Sequence, residues 1–213
     1  MHPLATLLED AIEGRFPPAD GGWHRVPPWR DGVEAVLAFT GHAVLAVSDD
    51  VSEQRLTALG VDGFGGAHHP RVLVDLAGPD GWIDSLDALI ARRGTGGGTP
   101  LVDRRDLATH PRAAFAQAVR DEVRVLGRPD EGSRSLTTVS RGIAGLFEIS
   151  VEIDPAERGH GEGTAMIRAA LAAIPHGEPV LAAVAPGNAA SLRAFLAAEF
   201  AVVGSVQVLR PRR

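Results

Sequence analysis

The sequence predicts a mixed α/β fold in which a sheet of mixed strand direction is covered by helices. Three observations carry the prediction. β-rich runs recur in both halves of the chain, and the last third alternates helix-like and strand-like runs after a three-strand meander. No heptad, solenoid period or long low-complexity tract competes with a globular reading. At 213 residues and 45% hydrophobic content, the chain has material for one domain with a good core or two small ones.

The elements follow in chain order. Residues 34–39 and 43–47 read as two strands around Thr40-Gly41-His42, a hairpin pattern. Residues 52–59 read as a short helix closed by Gly60, 71–76 as a strand, and 84–93 as a helix with Arg92 and Arg93 in its last turn. The glycine-rich run from Gly94 to Pro100 is expected to be a flexible link, which divides the chain into residues 1–100 and 101–213. Beyond it, Pro111 opens a helix to Arg120, and strands are expected at 122–126, 135–140 and 146–153. Helix 163–174, strand 180–184, helix 189–198 and strand 201–209 complete the alternation.

Composition excludes several classes of function. The net charge is −6 with interspersed signs, so no basic surface for nucleic acid is expected. No apolar run is long enough to span a bilayer, and the first residues lack the pattern of a secretion signal, so a cytoplasmic protein is expected. There is no Cys, which removes disulfides, thiolate nucleophiles and zinc-cysteine sites. There is also no Lys and no Tyr, so the 21 basic residues are all Arg and no phenolic acid is present. His68-His69 does not read as a metal site, since adjacent residues of an extended chain point apart and no Cys or carboxylate motif accompanies them. Trp23, Trp29 and Trp82 all fall in the first half, where packing is their expected task.

Chemistry concentrates at Arg158-Gly159-His160-Gly161-Glu162-Gly163, between a strand-like and a helix-like run. Alternating glycines let backbone curl around an anion, and the amides of such a turn can hold a phosphate. A Walker loop would need a Lys, and the dinucleotide fingerprint needs G-x-G-x-x-G, whereas the glycines here fall at 159, 161 and 163. A strand-to-helix turn without ligand is the plain alternative. In the preceding strand Phe147, Ile149, Val151 and Ile153 alternate with Glu148, Ser150, Glu152 and Asp154, so both glutamates share one face. On a cleft wall either could accept a proton from an attacking amine; on an ordinary antiparallel strand that face would simply be solvated. Downstream, Asn188 and Ser191 are spaced to cap a helix start.

Taken together, Asp154 to Gly163 and the Asn188 to Phe195 segment resemble the GNAT superfamily of acyl-CoA N-acyltransferases over roughly residues 110–209. The resemblance implies a mostly antiparallel sheet flanked by helices and acetyl-CoA or another acyl-CoA as co-substrate, with no metal. It places Arg158, Gly159, His160, Gly161, Glu162 and Gly163 on the pyrophosphate, backbone around Val151 and Ile153 on the pantetheine, and Asn188 and Ser191 beside the cofactor arm. Arg193 is the nearest cation for a further phosphate, or a solvated helical Arg. Glu148 is the implied base, with Glu152 second. Where many members carry a Tyr that protonates the departing thiolate, this chain has Phe195, and Glu199 stands where a Gly is usual.

The expected reaction is direct transfer of an acyl group, most simply acetyl, to a primary amine of a small molecule or peptide in a ternary complex. The alternative is a catalytically weak acyl-CoA-binding regulatory module. The first hundred residues are expected to be a degenerate GNAT-like unit or a lid over the acceptor site. Neither nucleic acid nor membrane is an expected partner, and a homodimer is compatible with the sequence.

Overall fold

In the computed structural model, which describes residues 1–213, six α-helices and eleven strands are formed. They segregate into two compact units, Met1–Leu89 with Val203–Arg213, and Ile90–Val202. The chain therefore divides between Leu89 and Ile90, not in the glycine run, and its last residues belong with the first unit. No helix is long and apolar enough to cross a membrane.

The first unit begins with α1 (Pro3–Ile12), which the sequence reading did not identify. The His2 ring accepts the Leu4 amide at 3.2 Å, Pro3 occupies the first turn, and Leu4, Ala5, Leu8 and Ala11 form one buried stripe. Strands β1 (Trp23–Val26), β2 (Glu34–Phe39) and β3 (His42–Ala46) follow, with α2 (Glu53–Ala58) after them. The predicted hairpin is formed by β2 and β3, which pair antiparallel from Ala35↔Ala46 to Phe39↔His42. Gly41 turns between them at φ +71°.

Two expectations in this region are corrected. Residues 71–76 lie in a helix, α3 (Pro70–Ala77), not a strand. Pro70 sits in its first turn, His69 caps it, Gly78 at φ +78° ends it, and Val72, Leu73 and Leu76 are buried at helical spacing. Conversely, most of the helix expected over 84–93 is a strand, β5 (Asp87–Arg93), after the short β4 (Trp82–Ile83). Leu89, Ile90 and Ala91 are buried in succession, so both faces of β5 are covered, and a continuous apolar run satisfies that burial as readily as a helical stripe.

The second unit holds β6 (Val102–Asp103), α4 (Pro111–Val119), β7 (Asp121–Gly127), β8 (Leu136–Arg141), β9 (Phe147–Glu152), α5 (Glu162–Ala172), β10 (Pro179–Val184) and α6 (Ala189–Ala197). The last strand, β11 (Ala201–Arg210), begins here and pairs with β2 in the first unit's sheet. Strands β6, β7, β8 and β9 form an antiparallel meander, and β10 adds to β9 in parallel. The result is a mixed, mostly antiparallel sheet flanked by helices. Its core gathers Ile149 of β9 with Met166, Ile167, Ala170 and Leu171 of α5, and Phe195 of α6 with Phe200.

The run Gly94 to Pro100 begins as packed structure, not as a free link. Thr95 and Gly96 donate to the carbonyls of Leu171 and Ile174, which satisfies acceptors at the C-terminal end of α5. Gly94 passes so close that an added Cβ would lie 2.5 Å from the Pro175 oxygen.

Candidate functional site

The loop after β9 starts from a fixed point. Asp154 caps the single turn Pro155–Glu157 by accepting the Ala156 amide at 2.9 Å, and its own amide donates to the Ser135 hydroxyl. The Glu157 carboxylate in turn accepts from the Ser133 and Ser135 hydroxyls at 3.0 and 2.6 Å. From this anchor the chain curls through Gly159 at φ +90° and Gly161 at φ +81°, conformations that cost a side-chain-bearing residue roughly 1–2 kcal/mol. Gly161 is the N-cap of α5 and offers no side-chain acceptor. The amides from Gly159 to Thr164 donate to no protein atom, at the positive end of an eleven-residue helix. Gly163 serves another purpose: an added Cβ would stand 3.3 Å from the Ala194 Cβ, so glycine lets α5 and α6 approach closely.

Beside the loop the sheet opens. Strands β9 and β10 are laddered only at Phe147↔Val180 and Glu148↔Leu181. No ladder joins them beyond those pairs, although β9 continues to Glu152 and β10 to Val184. Past Glu148, therefore, β9 runs toward the glycine loop without a β10 partner.

A cleft of about 500 Å³ lies along this unpartnered end of β9. Val151, Glu152 and Ile153 of β9 and its extension line it, with the loop and first turn of α5, and Asn188, Ser191 and Arg193 at the start of α6. Arg112, from the first turn of α4, contributes a further wall. The electrostatics favour an anion: three guanidinium groups, of Arg112, Arg158 and Arg193, face two carboxylates. Of those carboxylates, Glu162 is already ion-paired with Arg128, and Glu152 is held by Arg112 at 3.2 Å and Arg158 at 3.3 Å.

Most of the residues expected on the cofactor meet in this one cleft: Val151, Ile153, Arg158, Gly159, Gly161, Glu162, Gly163, Asn188 and Ser191. The exception is His160, which lines a neighbouring depression with Arg128, Asp130, Ser133 and Glu157, Glu162 standing between the two. The Asn188 side chain is committed to capping α6, accepting the Ser191 amide at 3.1 Å.

The two candidate bases differ in setting. Their shared face is not solvated: α4 packs over it, and Glu148 and Ser150 are buried. Glu148 is 3% exposed and makes a 2.6 Å ion pair with Arg120, itself 7% exposed; it also accepts the Ile143 amide at 3.3 Å. It does not line the cleft. Glu152 does line the cleft, between its two arginines. Phe195 is buried and stacks edge-to-face on Phe200 with centroids 5.0 Å apart, so its ring is part of the core. Sequence reasoning missed Arg112 and Arg120, because nothing local to α4 marks the residues across the sheet that they meet.

No family model matches the chain, and no curated protein matches it. Among solved structures, the chain is similar to a protein assigned to the GNAT family of acetyltransferases from Novosphingobium aromaticivorans, with a TM-score of 0.42 and 18% identity over 63% of this chain and 69% of that one. It is also similar to a GCN5-related N-acetyltransferase from Kribbella flavida, with a TM-score of 0.39 and 14% identity over 70% of this chain and 65% of the other. At these values the likeness carries no conclusion about what the chain does, which has to follow from its own cleft.

Proposed function

We propose that the chain is an acyl-CoA-dependent N-acyltransferase, most simply an acetyltransferase, acting on a primary amine of a small molecule or peptide. The observation that carries this reading is the union of a cradle of unpaired amides at the start of α5 with the end of β9, which runs past Glu148 without a β10 partner. A diphosphate suits the first and a thin, amide-bearing chain suits the second; acyl-CoA joins the two in one molecule. The amides of Gly159 to Thr164, supported by Arg112, Arg158 and Arg193, would hold the phosphates. The backbone near Val151 and Ile153 would complete the sheet with the pantetheine and offer an N–H to the thioester oxygen.

The reaction is a single displacement. The neutral amine nitrogen forms a bond to the thioester carbonyl carbon, the carbon–sulfur bond breaks, and the amine proton passes to water or a carboxylate. Both candidate bases are engaged by guanidinium groups, so the reading assigns most of the rate to positioning. The leaving thiolate has a pKa near ~8.5 and departs without an obligatory acid, which accommodates Phe195. Phe195 and the locked Glu148 are also the observations that favour the second reading, an acyl-CoA-binding regulatory module.

Release of free CoA thiol from acetyl-CoA decides between them. A panel of small amines, amino acids and peptides is assayed with a thiol reagent, to which the Cys-free protein itself is silent. Amine-dependent release supports the enzyme; saturable acetyl-CoA binding with no release above the uncatalysed rate for any amine supports the module.

A further inference from the structure

Within the cleft one carboxylate sits where an incoming anion would bind. Glu152 places one oxygen 3.2 Å from Arg112 Nη2 and the other 3.3 Å from Arg158 Nη2, and all three residues line the same cleft as Gly159, Gly161 and Gly163. Both contacts are longer than the ~2.7–2.9 Å of a tight charge-assisted pair, and the groups are partly open to solvent. The Arg112 Nε is buried and has no acceptor, so this guanidinium has donor capacity that Glu152 does not use. Arg158 is drawn back along the strand by its Nε bond to the Ile153 carbonyl at 3.0 Å and by Glu152.

We propose that Glu152 is an internal counter-anion: in the free protein its carboxylate occupies guanidinium donors of Arg112 and Arg158, and a bound diphosphate takes those donors from it. The inference rests on the reading of the cleft as an acyl-CoA site and adds its regulation. A diphosphate carries more charge and more acceptor oxygens than one carboxylate, and the neighbouring amides add donors that Glu152 does not engage. The exchange costs the ion pairs and leaves Glu152 facing the ligand's negative charge, so Glu152 sets a ceiling on affinity. A tight product complex would slow release of CoA, and the counter-anion opposes that by returning to the arginines as the ligand leaves.

The test is calorimetric titration of CoA, and separately of inorganic pyrophosphate, into the wild type, Glu152→Gln, Arg158→Ala and the double variant at fixed ionic strength. Glu152→Ala serves as a second variant, with circular dichroism establishing that each is folded. The expected result is that Glu152→Gln and Glu152→Ala bind both probes roughly threefold or more tightly, the scale set by partly exposed ion pairs. Arg158→Ala binds more weakly, and in its background the gain from Glu152→Gln shrinks. Unchanged or weaker binding by both Glu152 variants, with the wild type binding CoA normally, overturns the counter-anion and makes Glu152 a positioning residue for the arginines. A wild type that binds neither CoA nor pyrophosphate overturns the acyl-CoA site itself, and the counter-anion with it.

Discussion

Replacing Glu148 separates a structural from a chemical role for the most buried carboxylate of β9. Glu148→Gln keeps the shape and removes the charge, leaving the Arg120 guanidinium without its carboxylate. The two side chains are 4% and 6% exposed and meet at 2.6 Å, so the pair belongs to the buried class in which removing one partner costs about 3–5 kcal/mol. Space around the carboxylate is also tight: a Cβ added to Gly142 would lie 1.9 Å from Glu148 Oε2, so the amide has little room to settle. For a chain of this length each kcal/mol shifts the melting temperature by about 2–4 °C, which puts the expected fall at about 6–20 °C. Differential scanning calorimetry measures it, with thiol release measured in parallel well below the transition. A double variant, Glu148→Met with Arg120→Leu, should recover most of the loss, because it removes both charges and leaves apolar volume. A melting temperature lowered by less than ~2 °C, with thiol release reduced about 100-fold or more, would refute the reasoning and make Glu148 the proton acceptor.

Three further outcomes are expected. Gly161→Ala forces a Cβ into left-handed backbone at the start of α5; it should weaken CoA binding about tenfold by titration while lowering the melting temperature by only a few degrees. Arg193 lines the cleft and makes no side-chain hydrogen bond, so Arg193→Ala should weaken CoA binding at low salt and lose most of its effect near 1 M salt, as a titration at two ionic strengths will register. Burial holds the His68 imidazole below its ordinary value, only partly offset by the nearby Gln207 side chain. The unfolded chain therefore takes up a proton near ~6.5 that the folded chain refuses, so this contribution is present above that pH and is lost as the pH falls. Melting curves between pH 5 and 8 should show the decline, and His68→Gln should make it shallower, leaving the share of His24, whose imidazole burial also holds low.

The legible parts of the molecule were those whose cause is local. Glycine spacing at 159, 161 and 163 reports left-handed backbone and close helix approach within a few residues, and the alternation from Phe147 to Ile153 reports the two faces of one strand. The meander, α4, α5 and α6 followed from similarly local signals. The illegible parts depend on tertiary partners. Val72 and Val74 are β-prone residues held in a helix by a cap, a proline and a glycine, while Leu89 to Ala91 is a helix-compatible run drawn into a strand by burial on both faces. The polar face of β9 could be placed on one side of the strand from sequence, but that α4 would cover it with Arg112 and Arg120 is a property of packing. So is the placement of His160, which lies within the loop motif yet lines the neighbouring depression.

The acyl-CoA reading requires the amides at the start of α5 to hold the phosphates. Titration of ¹⁵N-labelled protein with CoA tests it directly, because each loop glycine contributes its own amide resonance. Saturable shifts are expected at Gly159, Gly161 and Gly163, reproduced in part by inorganic pyrophosphate and extending along Val151 to Ile153 only with CoA. Saturable binding of CoA that leaves the three glycine amides unmoved would contradict it.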